Sequence, residues 1–210
     1  MKNNPIDVFD DDDDLLDLFE DEEDEQLITN NGATRRNMQS CSVLAITKKN
    51  LRDAKLTYAE RLVLSYIGAH KKGCFRSIAA LSKNLGLSRV AIYDCLYELA
   101  RMGYIVKDKK TWYAQMPSNK SIIQTFQIPN DILRMPFRQL TVKDKFVYLI
   151  IDRFLSADAA PSQMGIAKIL GCHTCKQVLD SLKALSNSKN AEIKKVVERY
   201  EIMRTDFNKW

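Results

Sequence analysis

The sequence predicts a mainly α-helical protein with small β-hairpins, in which one three-helix unit occurs twice. The first observation is an internal repeat: Leu56-Thr57 followed by YAERLVLSYI aligns with Leu140-Thr141 followed by VKDKFVYLII, 84 residues further on. The second is the helical spacing of apolar residues within each copy, and the third is a pair of β-rich runs at the end of the first copy. A repeat of this length indicates a duplicated domain.

The repeat extends on both sides of this segment. Upstream, Ile46 matches Ile128 at a spacing of 82 residues, and downstream the Leu-Gly pair at Gly86 matches the pair at Gly171 at a spacing of 85. The next apolar residues keep a spacing of 86, namely Ile92, Leu96 and Leu99 against Val178, Leu182 and Leu185. Loop insertions account for the small drift. We therefore predict domains over residues 43–116 and 126–186, joined by a linker over 117–125.

Charge is distributed unevenly along the chain. Residues 1–25 hold thirteen acidic residues and one lysine. Residues 26–210 carry 31 basic and 14 acidic side chains, hence a net charge of +17. An excess of this size attracts polyanions and favours a nucleic-acid partner.

The acidic N-terminal segment has little with which to form a core. Between Asp10 and Glu25 like charges repel, and only three leucines and one phenylalanine supply apolar surface. We expect a disordered acidic tail over 1–26, followed by a polar linker over 27–42. The mixture is typical of a tail that folds on a protein partner, such as a polymerase or the replication machinery. There are two alternatives to a partner-binding tail: the segment only keeps the protein soluble, or it competes with DNA phosphates for the basic surface.

Each copy is predicted to begin with a capped helix. Thr57 with Glu60 three residues later forms a capping box, and Thr141 with Asp144 repeats it. The apolar residues that follow share one helical face in both copies. These helices are expected to supply the core of each domain.

A glycine turn then separates two shorter helices. Gly86 and Gly171 tolerate the left-handed conformation that reverses the chain. The next helix begins at Ser88 in the first copy and at Thr174 in the second, where Gln177 predicts another capping box. Three short helices with a glycine turn between the last two have the helix-turn-helix layout.

The two copies are predicted to end differently. Residues 104–107 and 111–114 are β-rich and flank a short polar turn, so the first copy should carry a hairpin, or wing, directly after its third helix. After Leu185 the apolar residues follow helical spacing instead. We predict a C-terminal helix over 187–210 and a lost or degenerate second wing.

Two stretches carry a family resemblance. Residues 81–105, LSKNLGLSRVAIYDCLYELARMGYI, resemble the winged helix-turn-helix domains common in bacterial regulators and mobile-element proteins. Residues 126–151, FQIPNDILRMPFRQLTVKDKFVYLII, are similar to the entry of such domains in plasmid and phage replication initiators and replisome organisers. The resemblance covers about residues 43–186. It implies two tandem winged helix-turn-helix domains behind the disordered tail.

The resemblance also implies which residues meet DNA, because the third helix of such domains lies in the major groove. The expected DNA-binding residues are Ser88, Arg89, Ala91, Tyr93, Lys107, Lys109 and Lys110 in the first copy and His173, Thr174, Lys176 and Gln177 in the second. Arg89 is the strongest candidate for a guanine contact, and the wing lysines suit phosphates. Asp94 counts against close approach, since a carboxylate repels phosphates.

Catalysis, cofactors and metals are not expected. The chain has no glycine-rich phosphate loop and no G-x-S-x-G motif, and two histidines limit nucleophile or nuclease sites. Cys172 and Cys175 have zinc-like spacing, but no second close pair follows. No apolar run could span a bilayer, and five scattered cysteines indicate reduced thiols, so we expect a cytoplasmic, nucleoid-associated protein without a membrane partner.

The leading hypothesis is a sequence-specific double-stranded DNA-binding protein acting in transcription regulation. The alternative is a replication initiator or replisome organiser of a plasmid or phage, and the second alternative is a winged-helix scaffold that binds proteins. Whether the protein is a homodimer stays open.

Overall fold

The computed structural model describes residues 43–70, 72–115 and 125–207. All of them belong to one compact unit, residues 42–210. The expected acidic tail over 1–26 and the linker over 27–42 lie outside the described residues, as does most of the linker over 117–125.

The described residues form nine helices and two antiparallel sheets of two strands each. The first copy comprises β1 (Val43–Thr47), α1 (Lys48–Arg52), α2 (Tyr58–Ala69), α3 (Ile78–Leu85), α4 (Arg89–Arg101), β2 (Ile105–Asp108) and β3 (Thr111–Ala114). The second comprises β4 (Thr125–Pro129), α5 (Asn130–Leu133), α6 (Val142–Leu155), α7 (Gln163–Leu170), α8 (Lys176–Ser186) and α9 (Ala191–Phe207). Each copy begins with one strand and four helices in the same order.

Local sequence signals account for most element boundaries. The capping boxes predicted at Thr57 and Thr141 are present: these side chains accept from the backbone three residues on, and Glu60 and Asp144 accept in return. α3 and α7 end at glycines with φ of 64° and 71°, in the left-handed region. The hairpin predicted from residues 104–107 and 111–114 is also present, with its first strand one residue later, at Ile105–Asp108.

The sheet formed by β1 and β4 joins the two copies. Ala45 lies opposite Gln127, while Leu44 pairs with Ile128 and Ile46 with Phe126. Since the repeat spacing here is 82 residues, Ala45 and Gln127 are equivalent positions. The two strands are therefore related by a local pseudo-twofold axis that passes through that pair of residues. Sequence analysis did not predict this pairing. Strand β4 begins at Thr125, which is the last residue of the linker expected over 117–125.

Two buried cations connect the copies reciprocally. Arg61 of α2 is 6% exposed and donates to the carbonyls of Leu51 and Leu56 in its own copy and of Leu170 in the other, at 2.7–2.9 Å.

Lys145 of α6, the repeat equivalent of Arg61, is fully buried. Its ammonium donates to Leu133 at 2.6 Å, to Met135 at 2.6 Å and across the copies to Leu85 at 3.1 Å. Each cation thus binds the last carbonyl of the helix that precedes the glycine turn of the opposite copy, where the negative end of the helix dipole favours it.

The glycine turns pack against the opposite copy in the same reciprocal way. A Cβ atom on Gly171 would lie 2.9 Å from the carbonyl oxygen of Arg52, and one on Gly86 would overlap the carbonyl oxygen of Met135. The Phe137 amide donates to the Gly86 carbonyl at 3.1 Å. Glycine is therefore required at these turns for packing between copies as well as for the backbone conformation.

Helix α9 takes the position that the hairpin has in the first copy. There, Trp112 of β3 exchanges two backbone hydrogen bonds with Cys74, in the loop between α2 and α3. In the second copy, the Tyr200 hydroxyl donates to the carbonyl of Pro161 in the equivalent loop, at 2.9 Å. Ile193, Val197 and Tyr200 are buried. A helix is present within the predicted range of 187–210, over Ala191–Phe207, and no strand follows α8 within the described residues.

We predict that Lys145→Met lowers the free energy of unfolding by about 2–4 kcal/mol at about pH 7, where the charged ammonium donates to three carbonyls that the variant leaves without a donor. The loss should grow with pH. Burial lowers the pKa of Lys145 to about 8, from 10.5 in an unfolded chain. Between these values only the unfolded chain keeps the proton, so the stability that Lys145 contributes rises as the pH rises.

Denaturant titrations of both proteins between about pH 7 and pH 10 measure this difference. Lys168→Met on α7 is the control, since Lys168 is exposed and its replacement should change stability by less than about 0.5 kcal/mol. A gap between wild type and Lys145→Met that narrows as the pH rises would contradict the prediction.

Candidate nucleic-acid interface

The N-terminus of α4 is fixed by its cap. The Ser88 hydroxyl accepts from the amide of Ala91 at 3.1 Å, which begins the helix where the sequence predicted. Ile92, Leu96 and Leu99 are buried, as expected from their spacing. Ser88 and Arg89 are exposed at this end of the helix.

The exposed face of α4 differs in part from the expected one. Ala91 and Tyr93 were expected to be exposed, but both are partly buried, and Ala91 packs against the core. Val90, which sequence analysis omitted, is 70% exposed. An apolar side chain so exposed beside Arg89 can contact a thymine methyl group in a major groove.

Further along α4 the same face carries Asp94 and Tyr97, both exposed. Arg101 pairs with Glu98 at 2.7 Å on the surface. Residues 90, 94, 97 and 101 follow helical spacing and lie opposite the buried stripe. Counting from that stripe would have identified Val90 from the sequence.

The hairpin presents two of its three predicted lysines. Lys109 and Lys110 form the two-residue turn between β2 and β3 and are exposed, with Lys109 at a φ of 53°. The Lys107 ammonium instead lies 5.5 Å from the centre of the Trp112 ring, and its side chain is partly buried. Only the turn lysines point away from the body of the hairpin.

In the second copy, the start of α8 differs from the prediction. The helix begins at Lys176 after Cys175, whose side chain makes no capping hydrogen bond, so the capping box expected at Thr174 is absent. His173, Thr174, Lys176 and Gln177 are all exposed. The turn from residue 171 to 175 is two residues longer than its counterpart in the first copy, residues 86 to 88, and the cap position falls on Cys175 instead of Thr174.

Gln177 is engaged by the first copy. The Tyr58 hydroxyl donates to its side-chain oxygen at 3.2 Å and lies 2.9 Å from the Cys172 sulfur. Burial, followed by the hydrogen bond with Cys172, raises the pKa of Tyr58 above its usual value, so the hydroxyl stays protonated. The Gln177 side chain, which was expected to contact DNA, is therefore oriented by a contact between copies.

Three of the described cysteines make packing or hydrogen-bonding contacts, namely Cys74, Cys95 and Cys172. Burial raises the pKa of the Cys95 thiol to about 12, which keeps it protonated. Cys172 contacts Tyr58 and Gln177. Within residues 43–70, 72–115 and 125–207, no three His, Cys, Asp or Glu side chains are grouped as metal ligands would be.

In the part of the chain that the structure describes, no helix has both the length and the apolar character needed to cross a membrane. Comparisons with protein-family models, with curated proteins and with solved structures found no match to this chain.

We predict that Gly86→Ala destabilises the protein far more than Gly103→Ala. Both glycines have a positive φ, of 64° and 74°, so both substitutions carry the left-handed cost of about 1–2 kcal/mol. Only at Gly86 does the new methyl group also meet the Met135 carbonyl and Lys145, whereas Gly103 faces open space. Thermal melts measure the difference, and equal losses would show that the turn does not pack tightly on the other copy.

Proposed function

We propose that this protein binds double-stranded DNA in a sequence-specific manner through its first copy, which we interpret as a winged helix-turn-helix domain. The observation that carries the proposal is the capped, exposed N-terminus of α4, where Ser88, Arg89 and Val90 stand on a helix whose opposite face is buried. A rigid helix is a more accurate carrier of base-contacting side chains than a loop. The lysine turn of the hairpin follows the same helix in the chain.

In this proposal the two elements have different roles. Arg89 donates to the two acceptors of one guanine, and Val90 packs on a thymine methyl group. Lys109 and Lys110 contact phosphates, which adds affinity without sequence information. The net charge of +17 over residues 26–210 supports the long-range attraction.

The second copy would support the first rather than repeat its role. Its helix α8 has no side-chain cap, Gln177 is tied to Tyr58, and α9 lies where a second hairpin would be. These differences would suit a surface for another protein. The proposal is a transcription regulator associated with the nucleoid in the cytoplasm.

A replication initiator or replisome organiser of a plasmid or phage is the second candidate. The form of the second copy favours it, since residues 126–151 resemble the entry to domains of such proteins. Both candidates bind duplex DNA, so they differ in where they bind on a genome.

We predict that Arg89→Ala weakens binding to the preferred DNA site by about 1–3 kcal/mol, because a bidentate base contact is lost. The variant should also lose the base preference at one position of that site. Lys109→Ala should weaken binding to all DNA sequences alike. It should also make the negative slope of log affinity against log salt shallower by about 0.9. Site selection from a random duplex library, followed by titrations between about 50 and 300 mM salt, measures both effects.

The exposed Lys195 of α9 gives a matched control, and Lys195→Ala should leave the preferred site and its affinity unchanged. Equal loss by Arg89→Ala on preferred and random DNA would show that Arg89 makes no base contact. A wild-type protein without duplex affinity at the lowest salt would instead favour the protein-binding scaffold.

Mapping of bound DNA in cells separates the two candidates. We expect a regulator to occupy several promoter regions, because its effect requires sites at the genes it controls. Occupancy confined to a single replication origin would reject the regulator and establish the second candidate.

A further inference from the structure

A pocket of about 710 Å³ lies between the two copies, beside the N-terminus of α4. One wall is formed by α3, its glycine turn and the first turn of α4, including Ser88 and Ala91. The other wall is the segment 134–138, which follows α5 in the second copy. We refer to it as the inter-copy pocket.

The second wall is held rigidly against the first. The Phe137 amide donates to the Gly86 carbonyl at 3.1 Å, and the Lys145 ammonium joins the carbonyls of Leu85 and Met135. The position of the segment 134–138 relative to the start of α4 is therefore set by buried hydrogen bonds.

The lining of the inter-copy pocket is basic at its rim and apolar inside. Of the eleven described residues that line it, Lys83, Arg134 and Arg138 are basic and none is acidic. All three basic side chains are exposed, and they come from both copies. Phe137 is 57% exposed between the two arginines. The amides at the N-terminus of α4 add a partial positive charge on the same side.

We infer that the segment 134–138 of the second copy extends the DNA-binding surface of the first. Arg134 and Arg138 contact backbone phosphates that flank the base pairs at Arg89, while the exposed Phe137 packs on sugar carbon atoms. The inference rests on the proposed function, because it takes α4 as the helix that enters the groove. It assigns to the second copy a contribution to DNA affinity that does not use α8.

Charge and placement favour DNA over a protein segment as the occupant. The three cations line the same pocket as Ser88, whose chain neighbour Arg89 is exposed at the start of α4, so in the proposed complex a duplex seated on Arg89 would bring phosphates near them. Long arginine side chains extend several ångströms, which matches contacts to phosphates on either side of a groove.

The test uses the full chain with Arg134→Ala and Arg138→Ala combined, and a duplex of mixed sequence. Two lost phosphate contacts should reduce the slope of log affinity against log salt by about 1.8 and lower the affinity at least about tenfold at about 0.1 M salt. Replacing both arginines with lysine should restore most of the slope, since lysine keeps the charge. Lys194→Ala combined with Lys195→Ala, two exposed residues of α9, is the charge-matched control and should change neither quantity.

An unchanged slope in the double alanine variant overturns the inference. If the slope stays unchanged while Arg89→Ala and Lys109→Ala still weaken binding, the proposed function stands without the second copy. If the double variant keeps full DNA affinity but loses affinity for an acidic peptide such as polyglutamate, the pocket is a protein-docking site and the inference is wrong. A wild-type chain that binds no duplex rejects the proposed function and the inference together.

Discussion

The reciprocal burial of Arg61 and Lys145 is the interaction on which the rest of the structure depends. Moving a cation out of water is costly unless its donors are satisfied, and here carbonyl oxygens rather than carboxylates satisfy them. Because one carbonyl of each set comes from the opposite copy, neither cation is fully hydrogen-bonded within its own copy. The two copies are thereby joined into one unit whose buried apolar residues form a single cluster.

This constraint extends to the elements around it. The carbonyls at the ends of α3 and α7 accept from the cations, so the glycine turns that follow must lie against the other copy, where a side chain would not fit. The β1–β4 pairing places the same symmetry axis at Ala45 and Gln127. The glycine turns, the β1–β4 sheet and the two buried cations all follow the same pseudo-twofold arrangement. Together they position the start of α4.

The symmetry of the interface contrasts with the divergence of the surfaces. The first copy exposes a capped helix start and a lysine turn, whereas the second has an uncapped α8 and covers the equivalent face with α9. A duplicated unit can diverge in this way because the reciprocal contacts that join the copies do not involve the residues on their outer faces. The proposed division of roles, with one copy meeting bases and the other supporting it, follows from that independence.

The sequence by itself determined the local elements: the capping boxes at Thr57 and Thr141, the turn at Gly86 and the hairpin around Lys109 depend on neighbouring residues and have local signals. It also determined the repeat and the buried stripe of α4 at Ile92, Leu96 and Leu99, but of the residues expected on its exposed face Ala91 and Tyr93 are partly buried.

Only the tertiary structure decided how the copies meet. Three features join residues that are distant in the chain: the pairing of β1 with β4, the burial of Lys145 and the contact of Tyr58 with Gln177. The sequence around a charged or polar residue gives no local signal for a partner so far away. The capping box expected at Thr174 is absent because the helix begins later, at Lys176, and the Gln177 side chain is hydrogen-bonded to Tyr58, 119 positions away.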